Sequence, residues 1–251
     1  MAKNRGDAVM KPLVQVELAS VNYCIRNGAS RSLKETAIRA LKREKLDLEV
    51  KALHEVSFSV MPGEILAVVG RNGAGKSTLL KLLARVLPPT QGRVLVNGSV
   101  APMIELGAGF SFELTGRENC ILYGTLLGRS SKEMRVRADE ISKWAGIQEA
   151  FDRPLRTYSS GMVSRLAFAV ATDMRSDVIL IDEVLSVGDS NFTKKSTERL
   201  NSFFHSGAAI ILVSHSSQTV RDLATKALWL DHGQVMEYGE VERVLHAYEH
   251  A

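Results

Sequence analysis

Gly70-Arg71-Asn72-Gly73-Ala74-Gly75-Lys76-Ser77-Thr78 constrains this chain more than any other stretch. Its spacing, G-x-x-x-x-G-K-[ST], is that of a phosphate-binding loop. Such a loop needs a strand before it and a helix after it. The apolar run Ile65 to Val69 supplies the first. The helical pattern Lys76 to Val86, with Leu79, Leu80, Leu82 and Leu83 on one face, supplies the second. Glycine lets backbone N–H groups converge on phosphate oxygens, and the helix N-terminus adds a positive dipole end. The phosphate-holding set is then Gly70, Asn72, Gly73, Ala74, Gly75, Lys76, Ser77 and Thr78. Lys76 would reach the β- and γ-phosphates, and the Ser77 hydroxyl would bind Mg²⁺.

The rest of the chain alternates in the same way. Leu13 to Leu18 and Glu55 to Val60 read as strands, and Arg93 to Val96 and Val100 to Ile104 as short strands around Asn97-Gly98. Gly116 to Leu127, Ser131 to Trp144 and Ser160 to Asp173 carry helical spacing. Val178 to Asp182 and Ala208 to Val213 are continuous apolar runs, as in strands buried on both faces. Ala227 to Leu230 and Gln234 to Glu237 read as a hairpin, and Glu240 to Tyr248 as a helix. Alternation of this kind predicts an α/β fold with a parallel central sheet.

Residues 24–51 stand apart as a basic insert. Within them Ser30 to Arg43 places Leu33, Ala37, Ala40 and Leu41 on one helical face, with Arg31, Lys34, Arg39, Lys42 and Arg43 largely elsewhere. This is either a solvated surface helix or an interfacial, partner-docking one.

Composition narrows the class. The 251 residues are 45% hydrophobic and 24% charged, which excludes a disordered or collagen-like chain. Thirty-two Lys and Arg against 28 Asp and Glu leave a net charge of +4. That mild excess fits an anionic ligand or membrane surface, and equally an ordinary soluble protein. Cys24 and Cys120 are too few for a disulfide framework or a zinc site, so reduced thiols are expected. No signal peptide or membrane-spanning stretch is expected.

Two further positions carry chemistry. Asp182-Glu183 closes the run Val178 to Ile181. After a phosphate-binding loop, Asp182 is expected to hold Mg²⁺ and Glu183 to orient or deprotonate an attacking water. His215 ends the next strand, where it is either structural or a hydrogen-bond partner of the γ-phosphate.

Tyr158-Ser159-Ser160-Gly161-Met162 opens a helix with small residues that expose N–H groups to an anion; alone it would be an ordinary N-cap. Its place before Asp182-Glu183 resembles the signature motif of ATP-binding cassette (ABC) proteins. That motif is usually L-S-G-G-Q, with Tyr158, Ser160 and Met162 as departures. Leu185-Ser186-Val187-Gly188-Asp189 resembles the D-loop that follows it. The order of loop, signature, Asp-Glu strand, D-loop and His215 is the cassette order, over nearly the whole chain.

The resemblance narrows further. Glu105-Leu106-Gly107-Ala108-Gly109-Phe110 lies where most cassettes carry a Q-loop glutamine, and no Gln occurs between Gly92 and Trp144. With Tyr158 to Met162 and Val187-Gly188-Asp189, it resembles the ATPases of polysaccharide, O-antigen and teichoic acid exporters, in their short form without a carbohydrate-binding domain. Glu105, or Leu106 if the alignment slips by one, would take the Q-loop position, and Glu105 would contact Mg²⁺ or water.

The resemblance implies a single P-loop NTPase domain over 1–251. Its mostly parallel core sheet would be joined by an antiparallel β subdomain and a helical subdomain at about 111–172. It implies ATP and Mg²⁺ as ligands, and a homodimer in which each ATP lies between Gly70–Thr78 of one copy and Ser159, Ser160, Gly161 and Met162 of the other. Tyr23 would stack on the adenine, unless it is a core or surface tyrosine. The expected partners are two copies of a membrane-spanning permease and a lipid-linked polysaccharide, at the cytoplasmic face of the inner membrane. Read from the residues themselves, Phe110 would offer an apolar plane to sugars, and Gly107 and Gly109 a backbone open to close approach, or else Glu105 to Phe110 is only a nucleotide-sensing loop. The alternatives are another exported substrate and a soluble ATPase acting on nucleic acid. The latter is disfavoured because the basic residues lack interleaved aromatics and aromatics are only 6% of the chain.

Overall fold

The computed structural model describes residues 11–26, 47–104, 106–173, 175–182 and 190–251. In chain order the strands are β1 (Val14–Arg26), β2 (Asp47–Val60), β3 (Ile65–Val69), β4 (Gln91–Val96), β5 (Val100–Met103), β6 (Val178–Asp182), β7 (Ala209–Val213), β8 (Lys226–Asp231) and β9 (Gln234–Gly239). The helices are α1 (Lys76–Leu83), α2 (Gly116–Leu126), α3 (Ser131–Ala145), α4 (Ser160–Thr172), α5 (Ser190–Phe204), α6 (Ser217–Leu223) and α7 (Val241–Glu249).

The core sheet runs β5-β6-β7-β3-β8-β9, parallel except for β9. β3 and β7 are buried along their whole length, which is why their sequences are unbroken apolar runs. A second, antiparallel sheet has the order β2-β1-β4. Its two long strands slip phase: Val14 and Val16 face inward, then Ala19 and Val21; Leu53 does, then Val56, Phe58 and Val60. The slips coincide with Leu18 and Glu55, both at positive φ (45° and 49°), where an extra residue bulges out. Leu18 is consequently 61% exposed rather than part of the apolar face.

Two expectations change, and the short strands around Asn97-Gly98 are found where expected. β1 is not interrupted at Cys24; it continues to Arg26, which pairs with Asp47 at the start of β2. The period-two run Val21, Tyr23, Ile25 favours strand there. Residues 24–26 and 47–51 are therefore strand, not helical insert, and the basic helix expected at 30–43 lies outside the described residues. The strands flanking Asn97-Gly98 belong to different sheets: β4 pairs with β1, and β5 with β6. Asp177 anchors that crossing by accepting bonds from the Ser99 backbone N–H (2.7 Å) and hydroxyl (2.8 Å). These bonds hold the Asp177 carboxyl below the usual range. Finally, α1 stops at Leu83 rather than Val86, because Arg85 adopts positive φ ahead of Pro88-Pro89.

α2, α3 and α4 pack around their own core, which includes Cys120, Tyr123, Met134, Ile141, Phe151, Leu155 and Leu166. Thr115 and Glu118 form a capping box on α2, and Ser130 caps α3; each cap contributes about 1 kcal/mol. Burial pushes the Cys120 thiol up to about 12, so it stays protonated and inert. Leu106 and Trp144 touch both this core and the one under β5, β6 and β7, and so join the two bodies.

Candidate functional site

The phosphate-binding loop leaves β3 at Gly70, whose φ is +152°, and enters α1 through Gly75, whose φ is +106°. Neither position admits a side chain. A Cβ on Gly70 would collide with the Leu230 carbonyl oxygen, and one on Gly75 would lie 2.6 Å from that of Ala52. The loop is thus wedged between β2 and β8. The turn joining β8 to β9 braces it, since Gly233 N–H donates to Ala74 O (2.9 Å) and the Gly233 carbonyl accepts from His54 N–H (2.8 Å). Sequence reading saw only a hairpin turn at Asp231-His232-Gly233; its role as a buttress comes from tertiary approach and leaves no local signal.

Lys76 opens α1 and is only 8% exposed. Its ammonium donates to the carbonyls of Gly70 (2.6 Å) and Arg71 (3.0 Å), so the side chain lies folded over the loop. In front of it is an open cleft of about 510 Å³. Its lining takes in Tyr23, Val50, Lys51, Ala52, Asn72 to Thr78, Asp182, Val213 and His215. The structure therefore brings together Tyr23, the loop, Asp182 and His215, four features separated by up to 192 residues of chain, around one volume. Parallel register does the work at one end: Asp182 pairs with Val213, and Val213 with Val68, so β6, β7 and β3 end at one level.

At the other end β1 and β2 place Tyr23 opposite Val50. Tyr23 is 37% and Val50 41% exposed, which makes an apolar wall beside the loop. Val50 and Lys51 fall in the stretch 24–51 that reads as an insert, and Ala52 directly follows it, so none of the three stands out in the sequence. The period-two pattern of Leu48, Val50 and Ala52 was the available signal. Ser77 and Asp182 offer a hydroxyl and a carboxylate oxygen to the same cleft, a donor set that suits Mg²⁺.

Ser159 caps α4, its hydroxyl accepting from Met162 N–H (3.2 Å). Ser159 and Ser160 are exposed and do not line the cleft of their own chain. Glu183, Glu105 and the segment Leu185 to Asp189 lie outside the described residues.

One expectation for the Glu105–Phe110 stretch is corrected. Phe110 is half-buried, edge-on to Tyr123 with ring centroids 5.1 Å apart, and packs on the helical core. It anchors the loop instead of facing a partner; the exposed aromatic nearby is Phe112, at 55%. At Gly109, whose φ is +96°, a Cβ would meet only Leu126 Cδ1 (2.9 Å), the end of an exposed side chain, so the left-handed backbone rather than a wall is what favours glycine there.

Comparison with known proteins agrees with this geometry. A family model described as ABC transporter matches residues 53–186. The O-antigen export system ATP-binding protein RfbB of Klebsiella pneumoniae is 44% identical over 248 residues, covering 96% of this chain and 99% of its own. The teichoic acids export ATP-binding protein TagH of Bacillus anthracis is 43% identical over 94% of this chain, which spans 42% of that relative. Among solved structures, an ATP-binding subunit of an ABC transporter superposes with a TM-score of 0.69 at 22% identity, covering 94% of this chain and 93% of its own. A dimeric ATP-binding cassette bound to ADP and Pi superposes at 0.67 and 21%, covering 91% and 98%. With the loop, the cleft and these matches in hand, the chain belongs to the ABC transporter family, as one of its ATPase subunits.

Proposed function

We propose that this chain is the ATP-hydrolysing subunit of a bacterial exporter that moves a lipid-linked polysaccharide across the cytoplasmic membrane. The observation that carries the reading is the end-to-end match to an O-antigen export ATP-binding protein, 99% of whose length is covered. No helix among the described residues is long and apolar enough to cross a membrane. A separate permease, in two copies, provides the path, and this subunit sits against it at the cytoplasmic face.

In this reading Gly70, Asn72, Gly73, Ala74, Gly75, Lys76 and Thr78 hold the triphosphate of ATP. Ser77 and Asp182 hold Mg²⁺, which when bound neutralises phosphate charge. Glu183 orients the attacking water and His215 donates toward the γ-phosphate. Two copies face each other, each completing the other's site with Ser159, Ser160, Gly161 and Met162. Supporting this are the exposure of that helix start and its absence from the cleft of its own chain. Glu105 contacts Mg²⁺ or water.

The test is complementation. In a strain lacking its own O-antigen export ATPase, the chain and its neighbouring permease should restore surface polymer. If polymer still accumulates inside while the pair assembles and hydrolyses ATP, the substrate class is wrong. Retention of nucleic acid by the purified chain at moderate salt would instead favour the soluble alternative.

Two smaller predictions follow from the site. Tyr23→Ala should raise the apparent KM for ATP several-fold, while Tyr23→Phe should leave it within twofold, because stacking needs only a π-face. Equal effects in steady-state kinetics would point to the hydroxyl. Phe110→Ala should lower the thermal midpoint by several degrees, since it removes a ring packed on Tyr123. Phe112→Ala should leave the midpoint unchanged, and calorimetry of the two variants checks the contrast.

A further inference from the structure

The residue before the signature cap departs from the usual leucine, and its surroundings show what the difference does. Tyr158 is half-buried against the helical core, with its hydroxyl donating to the Ala150 carbonyl at 2.7 Å. Burial holds that hydroxyl above the ordinary tyrosine range, so it remains a donor at neutral pH. The hydroxyl occupies a notch that exists only because residue 116 is glycine: a Cβ there would collide with it.

The notch sits in a rigid place. Segments 112–117 and 151–156 are zipped by backbone bonds: Arg156 N–H to Phe112 O (3.0 Å), Leu155 N–H to Leu114 O (2.9 Å), Gly116 N–H to Arg153 O (3.2 Å) and Arg117 N–H to Phe151 O (3.0 Å). Tyr158 N–H then closes a turn on Leu155 O at 2.9 Å. Immediately afterwards the chain becomes exposed at Ser159 and Ser160.

We propose that Tyr158 is a positioning residue for the two-copy ATP site: its hydroxyl, seated on Ala150 in the Gly116 notch, fixes the direction in which Ser159 and Ser160 present the first turn of α4 to nucleotide held by a second copy. The proposal rests on the two-copy reading above. A leucine at 158 fills the apolar pocket but cannot reach the carbonyl. With the bond, the N–H groups of α4 are aimed before the second copy arrives, so less ordering is left to oppose association.

The experiment uses the full chain carrying Glu183→Gln, with ATP-driven dimerisation followed by analytical ultracentrifugation. Adding Tyr158→Phe should raise the concentration for half-dimerisation about fivefold per pinned loop, hence about twenty-fivefold for the two loops of a dimer. ATP affinity of the monomer should stay within twofold, and the thermal midpoint should move by no more than about 4 °C. Gly116→Ala should weaken dimerisation too, and the pair Tyr158→Phe with Gly116→Ala should cost less than the product of the single effects, because the collision with the hydroxyl is gone and only the milder approach to the Phe151 carbonyl (2.9 Å) remains. Unchanged dimerisation in Tyr158→Phe overturns the proposal. So does a parallel fall in monomer ATP affinity, or single effects that simply multiply. If Glu183→Gln alone does not dimerise with ATP, the two-copy reading fails first and the proposal falls with it.

Discussion

Replacing Glu183 with glutamine is expected to slow ATP turnover at least ~100-fold while leaving ATP bound, the scale of losing general-base assistance. The carboxylate follows Asp182, whose strand ends level with the strands carrying the loop and His215. A water attacking the γ-phosphate there must lose a proton as it bonds to phosphorus. An amide of the same shape still hydrogen-bonds that water but accepts no proton from it. Binding is therefore kept and chemistry lost, and the ATP-bound dimer should persist for minutes or longer. Single-turnover hydrolysis and size-exclusion chromatography with ATP check both halves. Near-wild-type turnover in this variant would remove Glu183 from its role.

Lys76→Ala should act at the opposite step. Two losses combine in it. A charge-assisted contact to phosphate is worth roughly 10- to 100-fold in affinity. In addition, the ammonium's bonds to Gly70 O and Arg71 O, which brace the loop's own turn, disappear. ATP binding measured by calorimetry should weaken by about two orders of magnitude or more. Adenosine, which lacks phosphates, should be little affected. A variant that binds ATP normally but hydrolyses it slowly would transfer Lys76 from ground-state binding to the transition state alone.

What was readable beforehand followed a physical line. The loop, β3, β6 and β7 were legible because a parallel strand buried on both faces must be apolar throughout, and because the loop's glycines and lysine have few substitutes. α5 and α6 were not singled out. In α5 the buried Phe192, Ser196, Leu200 and Phe203 do fall on one face, but the intervening Thr, Lys, Asn and Arg dilute the pattern. The phase slips at Leu18 and Glu55 hid the true lengths of β1 and β2, since a bulge breaks the alternation by which strands are recognised. In the cleft, Tyr23, the loop, Asp182 and His215 are legible in the sequence through the order of motifs they belong to. Val50, Lys51 and Ala52 carry no such mark, and they join the cleft only through the strands that become neighbours. The same holds for Phe110: an aromatic in a glycine-rich loop has no sequence mark that tells solvent from Tyr123.

The common level at which β3, β6 and β7 end bears on how such a subunit diversifies. Because the three strands are hydrogen-bonded neighbours, the points at which the loop, Asp182 and the His215 segment leave the sheet are fixed relative to one another. Surface segments can lengthen, shorten or exchange residues without retuning the hydrolytic geometry. Amides of these three strands should then be among the last to exchange with deuterium, opening only when the whole domain does. The frame of the cleft is thus carried by strands buried on both faces, where a substitution disturbs packing at the greatest cost.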